Sequence, residues 1–483
     1  MSGLSEELTR WSAARLAALI REREASPVEV VEAHLRRVER LNPRLNAVVT
    51  LAPDALERAR EAEASVGSGA LDKPLLGVPV TVKDTIAVAG LPATSGSKAR
   101  AGYVPATDAQ AVGLLKEAGA IVIGKTNTSE LALDYTADNT LFGRANNPHD
   151  PARTPGGSSG GCAAAVAARL TAASVGSDLA GSIRIPAHFC GVAGLKPTAG
   201  RVGGAGHFPP MSPPYDRAAS LGPLARTVED LGLLFGVLSG DAFELDAERL
   251  AGRRREARAG LKGLRAAWYA EDGNVPVTPE TVDALKGAAE ALRFAGLTLE
   301  EARPPGVERA TELWLSLFSR ATREMVAGVY EGREEDAGPT ARALLRRAAE
   351  SKPSERADER RAWAERDRLR AELLRWMERT PILVAPVGAA PAFRHEEARR
   401  VEVCGQTLST FRAFGYAQAF NVFDLPAACV PAGRTREGLP VGVQLVGRPN
   451  EEETVLAAAR VVEEALGGWQ PPPEIPPLGF IQP

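Results

Sequence analysis

Histidine and cysteine are scarce in this 483-residue sequence, with five of the first and four of the second. The cysteines form no CxxC pair and no Cys/His cluster. That argues against a disulfide framework or a structural zinc, and it fits free thiols in a reducing compartment. No sign of charge dominates: 58 Lys and Arg face 61 Asp and Glu, a net charge of −3. Such a balance gives no electrostatic footprint for nucleic acid or an anionic membrane. Long hydrophobic runs are also missing. No stretch approaches 18 apolar residues without a charge, so no bilayer-spanning helix is predicted. Residues 1–24 carry charges throughout and lack the apolar core of a signal peptide, so a cytoplasmic location is expected. What is present is ordinary globular usage, 44% apolar and 25% charged, which excludes wholesale disorder. Lysine occurs nine times against 49 arginines. Arginine cannot lose its proton to act as a base, so a lysine inside an apolar strand stands out.

Residues 5–48 read as two helices. The second opens with Ser26 as N-cap, Pro27 at the first helical position and Glu29 completing a capping box, and Asn42-Pro43 is expected to stop it. From residue 46 to about 198, apolar runs at 47–51, 78–82, 120–123 and 170–175 alternate with helical stretches at 109–118 and 161–169. This alternation predicts an α/β fold with a large mixed, mostly parallel twisted sheet covered by helices. Residues 245–380 read as a helical insertion. Within it, 352–370 holds 12 charged residues of both signs in 19 and reads as a solvated helix face. Strand-like runs return at 382–387, 427–431 and 441–446, followed by a helix from 451. With no repeat or low-complexity linker, the chain 1–483 is expected to form one domain. Its parts are N-terminal helices (5–48), a core (75–235), the insertion (245–380) and C-terminal strands with a helix (381–470).

Three short motifs match known signatures without their context. Residues 119–126 (GAIVIGKT) satisfy the phosphate-loop pattern GxxxxGKT, but the intervening Ala-Ile-Val-Ile reads as the strand itself, not a loop. Residues 156–160 (GGSSG) satisfy GxSxG, yet the preceding HDPARTP cannot be the strand that a nucleophile elbow requires. Nor does a histidine base stand out. His34 lies on the capped helix, His207 in a Pro/Gly-rich loop and His395 beside a charge run; His149 and His188 complete the five. Residues 95–98 (SGSK) match SxxK without its companion motifs.

Residues 156–187 (GGSSGGCAAAVAARLTAASVGSDLAGSIRIPA) place a Gly/Ser turn on either side of an Ala-rich helix and a strand. Glycines permit positive φ and close backbone approach, so two such turns can present N–H groups to a ligand. Helix–sheet packing explains the alanines. It explains the serines, Asp178 and Arg184 poorly. This segment resembles the defining signature of the amidase signature family of serine hydrolases. So do 77–84 (GVPVTVKD), 119–127, 189–198 (FCGVAGLKPT) and 439–447 (LPVGVQLVG).

The resemblance implies a Ser–Ser–Lys triad. Ser182 corresponds to the acyl-forming nucleophile, Ser158 to a bridging serine preceded by a cis peptide, and Lys83 to the base. The backbone N–H groups of Leu179, Ala180, Gly181 and Ser182 correspond to the oxyanion hole, with Ser159, Asp178 and Arg184 as supports. An ion pair that only holds the fold suits the last two equally well. The chemistry is coherent on its own terms. A serine hydroxyl needs a base, and lysine serves only when desolvation keeps its amine neutral. Lys83 ends an apolar run suited to that. By residues alone Lys125 is a rival, and only the resemblance selects Lys83. Many relatives carry Asp-Ile-Gly-Gly-Ser where this chain has DLAGS at 178–182. Ala180 still offers its N–H there.

No metal or cofactor is implied. The expected activity is hydrolysis of a carboxylic amide C–N bond by a stand-alone amidase acting on a small molecule, with no nucleic-acid or membrane partner. The oligomeric state stays open, a homodimer included. The main alternative is the A subunit of a tRNA-dependent amidotransferase. Those subunits usually follow Gly-Lys-Thr-Asn with Met-Asp-Glu-Phe, whereas this chain has TSEL at 128–131, and 206–214 (GHFPPMSPP) is closer to stand-alone members. An alternative of another class is a nucleotide-binding or scaffold protein using 119–126. The walls of the substrate pocket are expected from 127–145, 200–220 and parts of 300–420.

Overall fold

The computed structural model describes residues 7–240, 256, 258–349 and 355–475. Its strands are β1 (Val48–Leu51), β2 (Pro79–Lys83), β3 (Ile121–Thr126), β4 (Ala173–Asp178), β5 (Ala193–Lys196), β6 (Ser220–Ala225), β7 (Arg265–Trp268), β8 (Thr298–Glu301), β9 (Ile382–Pro386), β10 (Arg400–Val403), β11 (Gln406–Ser409), β12 (Ala427–Arg434) and β13 (Pro440–Val446). Eleven of them form one sheet in the order β1-β3-β2-β4-β6-β5-β12-β13-β9-β7-β8, and β10 and β11 pair separately.

The sheet is mixed, as expected, but less parallel than the alternating pattern suggested. Among the described residues, only β2 with β3 and β4, and β7 with β8 and β9, run parallel. The strands between these two blocks are antiparallel. One cause is local: β12 and β13 are joined by a short turn at 435–439, which permits only an antiparallel pair.

Alternation along the strands feeds two apolar layers. Ile382 and Val384 of β9, with Ala428 and Val430 of β12, join one cluster. Leu383, Ala385, Ala427 and Cys429 join the other. The first layer is closed by helices Ala13–Arg21, Val228–Leu238, Pro279–Phe294 and Glu452–Leu466. The second holds helices Gly160–Ala167 and Arg184–Cys190. All eight residues of Gly160–Ala167 are buried. A Cβ on Gly161 would lie 2.5 Å from the backbone of Asn127, so the small residues of this helix are indeed demanded by packing.

The Ser26–Glu29 capping box is formed. Asn42-Pro43 does not end that helix, which runs to Leu45 with Pro43 inside its last turn. A proline there forfeits one backbone hydrogen bond. The end is instead closed by Asn46, left-handed at φ 46°, whose N–H bonds to Asn42 O, while Asn42 Oδ1 accepts from Ala47 and Val48. The segment 245–380 is not wholly helical either. Its described part adds β7 and β8 to the sheet edge before the helices Ala310–Tyr330 and Glu355–Met377. The charge-dense helix Glu355–Met377 is more than a solvated face. Arg320–Glu359 at 2.7 Å and Arg309–Glu365 at 3.0 Å tie it to Ala310–Tyr330, and Arg366, buried, donates to Val422 O.

Candidate active site

Four segments meet at the carboxyl end of β2. Lys83, the last residue of that strand, is fully buried, and its amine is hydrogen-bonded to Ser158 Oγ at 2.6 Å and Ser177 Oγ at 3.0 Å. Burial draws its pKa down from the ordinary lysine value to about 7, against the opposing pull of Cys162 and Asp178. Ser158 precedes helix Gly160–Ala167, and the Gly157–Ser158 peptide is cis. No strand leads into it, so the GxSxG segment is not a nucleophile elbow.

Ser182 lies on the turn between β4 and helix Arg184–Cys190. Ser159 N–H donates to Ser182 O at 3.1 Å, which fastens the two Gly/Ser turns together. Gly181 adopts φ +101°, and a Cβ there would meet Ala417 Cβ at 2.6 Å and Ile185 Cδ1 at 2.8 Å. Only glycine fits. Of the four N–H groups expected to face an oxyanion, that of Gly181 is turned away, bonded to Asp178 Oδ1 at 2.7 Å. Those of Leu179, Ala180 and Ser182 have no hydrogen-bond partner among the described residues.

Asp178 and Arg184 form a buried bidentate pair, Nε–Oδ2 and Nη2–Oδ1 both at 3.0 Å. Burial alone would raise the Asp178 pKa, but the guanidinium beside it overrides that and holds it well below the usual carboxylate range. Asp178 Oδ2 also accepts from Ile183 N–H at 3.1 Å, so one carboxylate shapes both sides of the Ser182 turn. Asn421 and Gln444 complete the cage by accepting from Arg184 at 2.7 and 2.8 Å. Neither residue was singled out from the sequence. Gln444 carried a readable signal, a single amide in the apolar strand 441–446, because a buried amide requires partners.

The aromatic surroundings come from the three stretches expected to wall the pocket. Tyr135 O–H donates to Ala180 O and Trp314 Nε1–H to Leu179 O, both at 2.9 Å. Phe411 packs on both rings, and Tyr215 stacks on Phe318. Trp314, Phe411 and Tyr215 are only partly covered. The helix bearing Trp314 is anchored at its far end, where buried Glu130 accepts from Tyr330 O–H and Gly338 N–H.

Of the histidines, only His207 reaches this site. His149 and His188 bond backbone carbonyls at 3.0 Å, His34 bonds Val30 O, and His395 bonds Asn146. His207, dismissed by its loop context, lies 2.9 Å through Nε2 from Ser177 Oγ. The GxxxxGKT segment is strand β3, and Lys125 within it is buried against Asp84 at 3.6 Å. The pattern therefore has no loop to cradle a phosphate. Among the described residues no group of three or more His, Cys, Asp or Glu could hold a metal ion, and no helix is long and apolar enough to cross a membrane.

The family model described as Amidase matches residues 29–456. The chain belongs to the amidase family. Its relatives include the A subunit of the glutamyl-tRNA(Gln) amidotransferase from Thermus thermophilus, 38% identical over 92% of this chain and 94% of that protein. Among solved structures, one described as an amidase superposes with a TM-score of 0.84 at 30% identity, over 95% of this chain and all of the other. A 6-aminohexanoate cyclic dimer hydrolase in complex with its substrate superposes with a TM-score of 0.82 at 30% identity, over 95% of this chain and 97% of the other. Amidase-family enzymes act on C–N bonds.

Proposed function

We propose that this amidase-family protein hydrolyses a carboxylic amide through an acyl-enzyme on Ser182. The observation that carries this reading is the fully buried Lys83 amine 2.6 Å from Ser158 Oγ, beside the turn that presents Ser182. Ser182 gives its proton through Ser158 to Lys83 as its oxygen attacks the carbonyl carbon. The developing oxyanion is met by the N–H groups of Leu179, Ala180 and Ser182, fixed before the reaction begins. Collapse breaks the C–N bond. Lys83 returns the proton through Ser158 to the departing nitrogen, and water then releases the carboxylate by the same route in reverse.

The partly exposed ring of Trp314 beside Leu179, with Phe411 packed on it, favours an aryl or bulky apolar group next to the scissile bond. Reaction with a fluorophosphonate followed by peptide mass spectrometry tests the assignment. The adduct is expected on Ser182. An adduct on Ser158 or Ser159 reverses the two roles.

A second reading, the A subunit of an amidotransferase, is favoured by the 38% identity to such a protein over nearly the whole chain. The two readings separate by expression. A stand-alone amidase turns over amides when purified alone, whereas an amidotransferase component co-purifies with its partners and depends on them.

A further inference from the structure

His207 does nothing in the reaction just described, yet it is held in place by the segment that follows Lys83. Ala87 N–H bonds to Gly206 O at 2.9 Å and Phe208 N–H to Thr85 O at 2.8 Å, so residues 206–208 are strapped to 85–87. Ser95 Oγ–H adds a bond to Phe208 O at 2.8 Å. Gly206 sits at φ +88° with Ala109 Cα 2.6 Å from where a Cβ would stand, so the loop is pressed against its neighbour.

The ring's proton follows from its partners. His207 Nδ1 lies 2.6 Å from Pro209 O, a group that can only accept, so Nδ1 carries the hydrogen. Nε2 then has a lone pair, and it faces Ser177 Oγ at 2.9 Å, so the Ser177 hydroxyl donates to it. With its hydrogen committed there, Ser177 Oγ meets Lys83 Nζ only as an acceptor, at 3.0 Å. A neutral amine has two N–H bonds and one lone pair. If one N–H is given to Ser177, the lone pair is left for the Ser158 hydroxyl at 2.6 Å.

We propose that His207, acting through Ser177, is a positioning residue that keeps the Lys83 lone pair free and turned toward Ser158. This rests on the reading of Lys83 as the base. Without the imidazole, the Ser177 hydroxyl is free to donate to the amine itself, which competes with Ser158 for the lone pair and lowers its basicity. The groups facing the amine are Ser158, Ser177, Cys162, Asp178 and His207. Burial, reinforced by Lys83, draws the His207 pKa down to about 3, so His207 stays neutral across the working pH range.

The experiment compares His207→Leu, His207→Gln, Ser177→Ala and the His207→Leu/Ser177→Ala double variant with wild type on a nitroanilide that wild type turns over. Rates are normalised to the fraction of sites titrated by a fluorophosphonate, so unfolded protein does not count. His207→Leu is expected to lower kcat by about tenfold, part of the range attributed to general acid–base catalysis, with little change in KM. Its acid limb should move to lower pH. His207→Gln places a carbonyl oxygen near the Nε2 position and should recover both. The double variant should be no worse than Ser177→Ala alone, because both changes break one chain. An unmoved kcat and acid limb in His207→Leu, or equal losses in the Leu and Gln variants, overturns the proposal. Should His207→Leu fail to fold, the smaller His207→Ala carries the same test through its kcat and acid limb. Lys83→Ala runs alongside. If it keeps full amide turnover, the base assignment itself falls, and that outcome is distinct from a failure at His207.

Discussion

Lys83 and Lys125 lie on neighbouring parallel strands but leave the sheet on opposite faces. In the β2–β3 register Lys83 pairs with Thr126 and Lys125 with Val82, so the two lysines are out of step by one residue. A one-residue offset in a strand reverses the direction of a side chain. Val82 packs in the apolar layer on the face away from helix Gly160–Ala167, and Lys125 follows it there to Asp84 and Pro92 O. Lys83 emerges on the side of Ser158 and Ser177.

From this offset the two alanine variants should fail differently. Lys83→Ala should lower amide turnover by roughly 10²–10⁴, the range of general acid–base catalysis, and ester turnover less, because an amine leaves poorly unless protonated. Lys125→Ala leaves Asp84 buried without its cation, a change that costs about 3–5 kcal/mol in comparable pairs. Its signature should be a fall in Tm without amide selectivity. Parallel amide and ester assays with thermal melts decide between the lysines, and an amide-selective loss at Lys125 would place the base on the wrong strand.

The pH profile follows from the lowered Lys83 pKa. Below about 7 the amine is an ammonium and cannot accept a proton, so kcat/KM should rise with pH through about 7. The sign for stability is the same. Burial lowers Lys83 to about 7 and Lys125 and Lys196 to about 8, while the unfolded chain keeps those protons to higher pH. Between these values and the ordinary lysine range the unfolded state binds more protons, so unfolding free energy should increase with pH. Denaturant melts from pH 7 to 9 measure this slope, and Lys83→Met should reduce it.

Gly181→Ala should disable the turn while leaving the rest of the fold in place. The substitution forces a Cβ at φ +101° into Ala417 and Ile185, which shifts the neighbouring N–H groups of Ala180 and Ser182. Loss of one aligned oxyanion donor costs about 10²–10³ in kcat in comparable sites. Steady-state kinetics beside a circular dichroism melt check this, and wild-type turnover in the variant would remove the turn from the mechanism.

Trp314→Ala and Trp314→Phe separate the ring from its hydrogen bond. The alanine variant removes an apolar wall beside Leu179, and kcat/KM for an anilide should fall relative to a small aliphatic amide by about tenfold or more. Phenylalanine keeps most of the wall and loses only the N–H to Leu179 O, so selectivity should largely persist. Equal losses on both substrates in the alanine variant would mean that Trp314 supports the turn without shaping the pocket.

The sequence by itself determined the local features of this protein. The Ser26–Glu29 cap, the positions of strands β2, β3, β9, β12 and β13, and the small-residue helix after Ser159 were all legible. Each depends on neighbours within a turn or two of chain, through periodicity, capping and the space a glycine leaves. The two Gly/Ser turns were legible for the same reason, as was the oddity of a lysine ending an apolar strand in a chain with so few. What only the tertiary structure decided were relations between distant segments: which lysine meets Ser158, that Gly181 turns its N–H to Asp178, that Asn421 and Gln444 enclose Arg184, and that His207 reaches Ser177. Strand register and the choice of sheet face set these contacts. Both are fixed by packing over the whole sheet, where one residue of slip exchanges every inward side chain for an outward one.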